Sequence, residues 1–150
     1  MNRLLLFILC CFFLSACLNK NTYTDFHSLK NGEWNKDSIC HFEVSISDTI
    51  NPHQIFINTR NNDLYPYQNI WLFVDIKTPL GNIRKDTIGF YLADDFGKWL
   101  GKGINVYKLE IPYEEYFIFR QSGTYSFSIR QGMRDDVLKG MNEIGIKLTK

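Results

Sequence analysis

Apolar and polar residues alternate strictly in four separate stretches of this 150-residue chain, and this pattern limits what it can fold into. The stretches are 42–46, 88–92, 125–129 and 144–148. Side chains alternate between the two faces of a β-strand, so this period of two is typical of a strand with one face buried and one in solvent. The alternation therefore predicts antiparallel sheets that each cover a core with one face.

A fifth stretch, 70–74, is apolar on both faces, which favours a central strand or one whose outer face meets a partner. Further strands are predicted at 54–60, 104–111 and 116–120, and only 135–141 has room for a helical turn. Turn residues such as those at 79–82 and 94–97 separate these segments. We expect an all-β fold over 32–150: an antiparallel two-layer β-sandwich, Ig-like or jelly-roll-like, of about seven or eight strands.

The amino terminus has the features of a bacterial lipoprotein signal peptide. Arg3 precedes an apolar run over 4–14, and Ser15 and Ala16 lead into Cys17. The run fits a signal h-region and is shorter than the about 20 residues that span a bilayer. We therefore expect removal of 1–16 and a lipid on Cys17. The alternative is an ordinary signal peptide that happens to contain a cysteine.

After cleavage, 17–31 is expected to be a flexible lipidated tether, because this segment is polar and contains few aliphatic residues. Loss of Arg3 leaves 16 basic and 16 acidic side chains. This neutral balance gives no support for nucleic-acid binding, and no cluster of basic residues suggests a grip on anionic lipid. The acyl chains are therefore expected to carry the membrane attachment.

The sequence lacks the groupings of residues that catalysis or metal binding requires. His27, His41 and His53 do not have ligand spacing, and all three are expected to face solvent. Cys40 is the single cysteine left after Cys17 is lipidated, and it is expected to be a small buried hydrophobe. Adjacent strand residues face opposite ways, so Cys40 and His41 cannot form a nucleophilic pair. We expect neither an enzyme nor a cofactor.

Two carboxylate pairs, Asp94-Asp95 and Asp135-Asp136, are expected to cap backbone amides in turns. Their alternative role, together with 61–63, would be calcium binding through six or more oxygens. The glycine-rich segment 97–103 carries lysines, but it precedes no helix that could hold a phosphate. It is interpreted as a tight connection between strands.

Aromatic residues near turns are the better candidates for binding. Tyr65 and Tyr67 lead into the strand that holds Trp71, and Trp99 lies in the glycine-rich connection. Rings in loops can stack on sugars or anchor a protein partner. With Arg134 they form our candidate partner-binding set. The alternative is that the rings fold back over the edge of the sandwich.

Several motifs in the chain resemble those of one bacterial family. The longest is the stretch 92–103, which reads Leu-Ala-Asp-Asp-Phe-Gly-Lys-Trp-Leu-Gly-Lys-Gly, and the others are at 61–62, 65–69, 71, 86–87, 131–134 and 145–146. With the lipid-attachment motif they resemble the GldH family of gliding-motility lipoproteins of Bacteroidota over nearly the whole mature chain. Gly132 differs, since alanine is expected there, but both residues are small.

The resemblance implies a non-enzymatic envelope lipoprotein that acts with other envelope proteins of gliding motility or the associated type IX secretion machinery. Leu18, rather than an aspartate, follows Cys17, and 19–21 lacks an acidic cluster of the kind that resembles a surface-export signal. We therefore expect the protein at the outer membrane, facing the periplasm. The alternative function is a glycan- or peptidoglycan-binding β-sandwich lipoprotein.

Overall fold

The computed structural model describes residues 23–150 as an almost entirely β-stranded domain. A single 3₁₀ turn lies at Lys30–Gly32. The strands are β1 (Tyr23–Ser28), β2 (Glu33–Asn35), β3 (Cys40–Ile46), β4 (His53–Asn61), β5 (Asn69–Lys77), β6 (Ile83–Tyr91), β7 (Tyr107–Phe117), β8 (Gly123–Gln131), β9 (Val137–Lys139) and β10 (Met141–Thr149). Within 23–150, no helix has the length and apolar character that crossing a bilayer requires.

The strands pair from the two ends of the chain inward, as in one long hairpin that has been rolled up. β1 pairs with β10, β2 with β9, β3 with β8, β4 with β7 and β5 with β6, all antiparallel. Two more pairs, β10 with β4 and β5 with β8, complete four-stranded sheets ordered β1-β10-β4-β7 and β3-β8-β5-β6. This is the jelly-roll form of the predicted two-layer sandwich.

The core lies between the two four-stranded sheets. On β3 and β8 the buried face is the one predicted from the alternation in the sequence. Along β3 every second residue is buried, beginning with Cys40, and Tyr125, Phe127 and Ile129 are buried in the same way on β8. β5 lies between β8 and β6, as predicted for a central strand, and it leaves Trp71 and Phe73 on the outer face.

The predicted tether ends earlier than expected, because residues Tyr23–Ser28 form strand β1. This strand adds to the edge of a sheet through backbone pairing with β10, in register from Tyr23 opposite Leu148. Its side chains are mostly exposed, so it lacks the alternation that indicates a strand. Residues 1–16, Cys17 and the start of the tether lie outside the described residues.

The helical turn predicted at 135–141 is wrong. Val137–Lys139 forms β9, which pairs with β2, and Gly140 then reverses the chain into β10. Gly140 has a φ of 78°, a left-handed conformation that favours glycine. The segment is therefore a hairpin-like corner rather than a helix.

One long strand replaces the two predicted at 104–111 and 116–120. β7 runs through Pro112, while 104–106 and 118–122 form loops. Proline lacks the N–H that a central strand needs, but β7 is the edge strand of its sheet and tolerates it. Register shifts in the pairing of β4 with β7 accompany this stretch.

The registers define two ends of the sandwich. The near end holds Tyr23, Lys150 and the loops 47–52, 78–82 and 118–122, since Tyr23 lies opposite Leu148, Ile46 opposite Gly123 and Lys77 opposite Ile83. The far end holds the loops 62–68, 92–106 and 132–136, because Asn61 lies opposite Tyr107 and Met141. Strand β4 connects the two ends.

Candidate functional site

All five candidate partner-binding residues lie at the far end of the sandwich. Tyr65 and Tyr67 are in the 62–68 loop, and Trp71 follows at the start of β5. Trp99 belongs to the 92–106 loop and Arg134 to the 132–136 loop. The fold thus brings residues that are up to 69 positions apart in the sequence to one end of the molecule.

Tyr65 is not available to a partner, because its side chain is only 4% exposed. Its hydroxyl donates a hydrogen bond to the carbonyl of Asn69 at 2.9 Å, and burial raises the pKa of the phenol. Its ring packs edge-on against Tyr67 and Trp99, at centroid distances of 6.1 and 6.2 Å. For Tyr65 the alternative interpretation is therefore correct: this ring folds back over the end of the sandwich.

Trp99 anchors the 92–106 loop to the rest of the domain. Its half-buried ring packs against the core and lies 5.7 Å from the ring of Tyr107. The indole N–H donates a hydrogen bond to Oδ1 of Asp63 at 2.9 Å. Burial raises the pKa of Tyr107, and a hydrogen bond to Asp63 raises it further. These contacts give Trp99 a structural role.

Tyr67, Trp71 and Arg134 line a shared open cleft of about 360 Å³. The hydroxyl of Tyr67 donates to Oδ2 of Asp135 at 2.9 Å, and this hydrogen bond raises the pKa of Tyr67. Trp71 is 46% exposed, and three carbons of its ring lie 3.0 Å from the position that a Cβ on Gly89 would take. Gly89 thus lets the indole lie flat on the sheet.

Gln131 orders the loop on one side of this cleft. Its buried side chain donates from Nε2 to the carbonyl of Asp135 at 2.8 Å, and its Oε1 accepts from the N–H of Met133 at 2.7 Å. The N–H of Gly132 donates to the carbonyl of Trp71 at 2.7 Å. The position of Arg134 is therefore set by a hydrogen-bonded turn.

The most exposed apolar group of the far end is not among the residues predicted from the sequence. Phe96 is 96% exposed at the tip of the 92–106 loop, and Leu64, Tyr91, Leu100 and Ile104 are also exposed there. Asp94 holds the tip, because its Oδ1 accepts hydrogen bonds from the N–H groups of Phe96 and Lys98 at 3.0 and 2.9 Å. The signal was an aromatic residue between aspartate and glycine in a predicted turn.

The connection interpreted from the glycine-rich segment 97–103 is confirmed. Ala93 forms a β-bridge with Trp99, and Lys102 forms one with Lys108. The predicted capping role of Asp94 is confirmed by the same turn. Asp135 accepts the Tyr67 hydroxyl instead, and Asp136 forms an ion pair with Lys36.

The described part of the chain holds no group of three or more histidine, cysteine, aspartate or glutamate residues that could bind a metal. Cys40 is buried, as predicted, and burial raises the pKa of its thiol to about 12. His41 points to the other face of β3 and its Nδ1 lies 2.9 Å from Oγ of Ser128. This separation confirms that Cys40 and His41 cannot act as a pair.

The prediction that every histidine faces solvent holds for His27 and His41 but is wrong for His53. His53 begins β4 and is buried, with its ring edge-on to Phe119 at 5.1 Å. Burial lowers the pKa of its imidazole. The polar turn before it suggested exposure, but the pairing of His53 with Phe117 draws it beneath the 118–122 loop.

Together these features define an all-β jelly-roll domain that presents exposed aromatic and aliphatic side chains at one end. The family model described as GldH lipoprotein matches residues 21–148. The chain therefore belongs to the GldH lipoprotein family, which confirms the resemblance and makes it a membrane-associated lipoprotein of the cell envelope.

Two relatives match nearly the whole chain. A gliding motility lipoprotein GldH homolog of Christiangramia forsetii is 35% identical, with 97% of this chain and 93% of the relative covered. The gliding motility lipoprotein GldH of Flavobacterium johnsoniae is 28% identical, with 94% and 92% covered. Both relatives are named as lipoproteins and neither is named as an enzyme.

Similarity to solved structures is weak. The structure of infectious bursal disease virus Gx strain matches with a TM-score of 0.42 and 14% identity, over 85% of this chain and 31% of the viral chain. A carbohydrate-binding module specific for non-crystalline cellulose, CBM28, matches with a TM-score of 0.41 and 10% identity, over 83% and 71%. These values are too low to bear on function.

Proposed function

We propose that this protein is a non-enzymatic scaffold or accessory lipoprotein of gliding motility or the associated type IX secretion machinery. In this proposal, acyl chains on Cys17 hold it at the periplasmic face of the outer membrane. Its far end docks other envelope proteins. The two relatives named as gliding motility lipoproteins support a role in gliding motility, since both match the chain over nearly its full length.

One observation carries the proposal: the described chain starts at one end of the sandwich and the candidate site lies at the other. Tyr23 begins β1 at the near end, whereas Trp71, Phe96 and Arg134 lie at the far end. The nine residues of β4 connect the two ends, a distance of about 30 Å. A lipid at the amino terminus would therefore leave the far end free to meet a partner.

The far end has the chemistry that protein partners use. Phe96 is held out into solvent by the Asp94 turn, and Leu100 and Ile104 extend the exposed apolar surface along the same loop. Ordered apolar side chains that remain in water favour an interface, because burying them against a partner releases hydration water. Aromatic anchors that enter a pocket dominate the affinity of many interfaces.

Affinity capture of the lipidated protein from detergent-solubilised envelope of its own cells would test this function. The wild type is expected to recover gliding or secretion proteins, and Phe96→Ser should recover far less. Tyr116→Ser is the matched control, because Tyr116 is an exposed aromatic residue on β7, towards the near end. Recovery of no such protein by the wild type would contradict the scaffold role, and equal recovery by Phe96→Ser would contradict docking through the far end.

Binding of a glycan or of peptidoglycan is the second candidate, favoured by the cleft of Tyr67, Trp71 and Arg134. A flat exposed indole beside a guanidinium can stack on a sugar ring and bond its hydroxyl or carboxyl groups. Titration with peptidoglycan fragments should change the tryptophan emission of the wild type but not of Trp71→Ala. An unchanged tryptophan emission across a broad glycan panel would contradict glycan binding.

A further inference from the structure

The near end exposes aliphatic side chains at the tips of its loops. Ile50 is 82% exposed in the 47–52 loop and Leu80 is 75% exposed in the 78–82 loop, while Ile118 in the third loop is partly exposed. The 118–122 loop lies beside both of the others. Asn82 and Ile118 line one cavity, and the ring of His53, directly after the 47–52 loop, lies edge-on to Phe119 at 5.1 Å. The near end therefore presents a small apolar surface.

Hydrogen bonds hold the two most exposed tips in fixed shapes. Oδ1 of Asp48 accepts from the N–H groups of Ile50 and Asn51, both at 3.0 Å. In the other loop, the N–H of Thr78 donates to the carbonyl of Asn82 at 2.8 Å. Ile50 and Leu80 therefore stay exposed in ordered loops, and inserting them elsewhere requires little further ordering.

Exposed basic residues lie at the same end as these tips. Lys77 ends β5, Arg120 lies in the 118–122 loop and Lys150 ends the chain, and all three are exposed. Asp48 is the acidic residue of the three loops, and its carboxylate lies 2.7 Å from Nζ of Lys150. Lys150 is paired with Asp48, which leaves Lys77 and Arg120, distant in the sequence, to meet lipid phosphates while the aliphatic tips meet acyl chains.

The length of chain before β1 keeps the near end close to the lipid. Cys17 precedes Tyr23 by six residues, which can span at most about 22 Å. If the far end contacted the bilayer with the domain upright, Tyr23 would lie about 30 Å from the lipid, which is farther than the six residues can span. The far end could then contact the bilayer only if the domain lay on its side. The near end is therefore the surface that the acyl chains bring to the bilayer.

We infer that the near end is a second membrane contact, in which Ile50 and Leu80 enter the boundary between lipid headgroups and acyl chains. This inference rests on the proposed lipidation of Cys17, which supplies the main attachment. The loop tips set the orientation: they hold the sandwich upright, with the far end directed away from the bilayer. The lipid surface is thus the partner of the near end and proteins are the partners of the far end.

Tryptophan quenching by brominated acyl chains can test the inference on the lipidated full-length protein. The protein is placed in vesicles of phosphatidylethanolamine and phosphatidylglycerol with and without bromine on the acyl chains. Trp34, Trp71 and Trp99 all lie towards the far end, so the wild type gives a low quenching baseline. Ile50→Trp and Leu80→Trp place a reporter at the near end, and Phe96→Trp is the matched control at the far end.

The expected result is loss of the added emission in Ile50→Trp and Leu80→Trp, with the emission of Phe96→Trp retained. If the protein floats with vesicles and carries lipid on Cys17, but neither near-end reporter is quenched, the inference is overturned and the proposed anchor stands. Equal quenching at both ends would also overturn it, since the domain would then lie on its side. Failure to float, with Cys17 unmodified, would overturn the anchor and the inference together.

Discussion

The indole N–H of Trp99 donates a hydrogen bond to Oδ1 of Asp63 at 2.9 Å, and this bond joins two loops that lie 36 residues apart in the sequence. It connects the 92–106 loop, which carries Phe96, to the 62–68 loop, which carries Tyr67. The Trp99 ring also packs on the core beside Tyr65. The shape of the far end therefore depends on contacts between its loops.

Asp63→Ala should loosen the 92–106 loop without unfolding the domain. The variant removes the acceptor of the Trp99 indole and the carboxylate that hydrogen-bonds Tyr107, and an exposed hydrogen bond contributes about 1 kcal/mol. We expect faster amide hydrogen exchange in the 92–103 segment and a small fall in the unfolding free energy. Asp95→Ala, at an exposed carboxylate of the same loop, is the control. Unchanged exchange in Asp63→Ala would show that Trp99 is held by packing alone.

The fold class could be predicted because a jelly roll buries one face of most of its strands. β3 and β8 alternate strictly, so local sequence was sufficient to place them. β1 gave no such signal, because an exposed edge strand is held by its backbone partner rather than by apolar side chains. β9 has three residues, and its pairing with β2 depends on a contact about a hundred positions away.

The sequence placed the candidate residues in or beside turns, but it did not predict which of their side chains are exposed. Sequence identified Tyr65 and Trp99 as aromatic rings in turns, but exposure depends on which loop folds over which, and that is decided by tertiary contacts. Tyr65 is buried because its hydroxyl reaches the Asn69 carbonyl, and Trp99 is fastened by Asp63. The exposure of Phe96 could not be predicted for the converse reason, since an aromatic residue is ordinarily expected to pack.

Gly140→Ala should destabilise the domain far more than Gly97→Ala. The two glycines share a left-handed backbone, with φ values of 78° and 79°. A Cβ on Gly140 would lie 2.1 Å from the backbone nitrogen of Tyr65, whereas a Cβ on Gly97 would meet nothing within 4 Å. We expect about 1 kcal/mol for Gly97→Ala, from backbone strain alone, and at least about 3 kcal/mol for Gly140→Ala.

Denaturant unfolding of both variants measures this difference, and the shared φ makes Gly97→Ala the matched control for strain. Similar losses in the two variants would mean that the approach of Gly140 to the 62–68 loop does not constrain this corner.

The stability of the domain should fall as the pH rises from 8 to 9.5, and Cys40 should account for part of that fall. Burial raises the pKa of its thiol to about 12, so the folded state keeps the proton where the unfolded state, with a pKa of about 8.5, loses it. Because the folded state binds more protons, stability decreases with rising pH, by about 1 kcal/mol over this range.

Unfolding curves at several pH values compare the wild type with Cys40→Ala, which has no thiol to titrate. The decline should be shallower in the variant. Equal slopes would indicate that Cys40 does not titrate differently in the two states. In the same pH range the folded wild type should resist thiol reagents, since the thiolate is the reactive form.

Cys17→Ser should prevent both maturation and lipid attachment. The thiol is the proposed site of the diacylglyceryl group, and a hydroxyl cannot replace it in that linkage. In cells fed labelled palmitate, the wild type should incorporate label and lose residues 1–16, while the variant should remain an unlabelled precursor. Cys40→Ser is the control, because Cys40 is buried in the folded domain and should not affect labelling. Normal processing and labelling of Cys17→Ser would show that the anchor lies elsewhere.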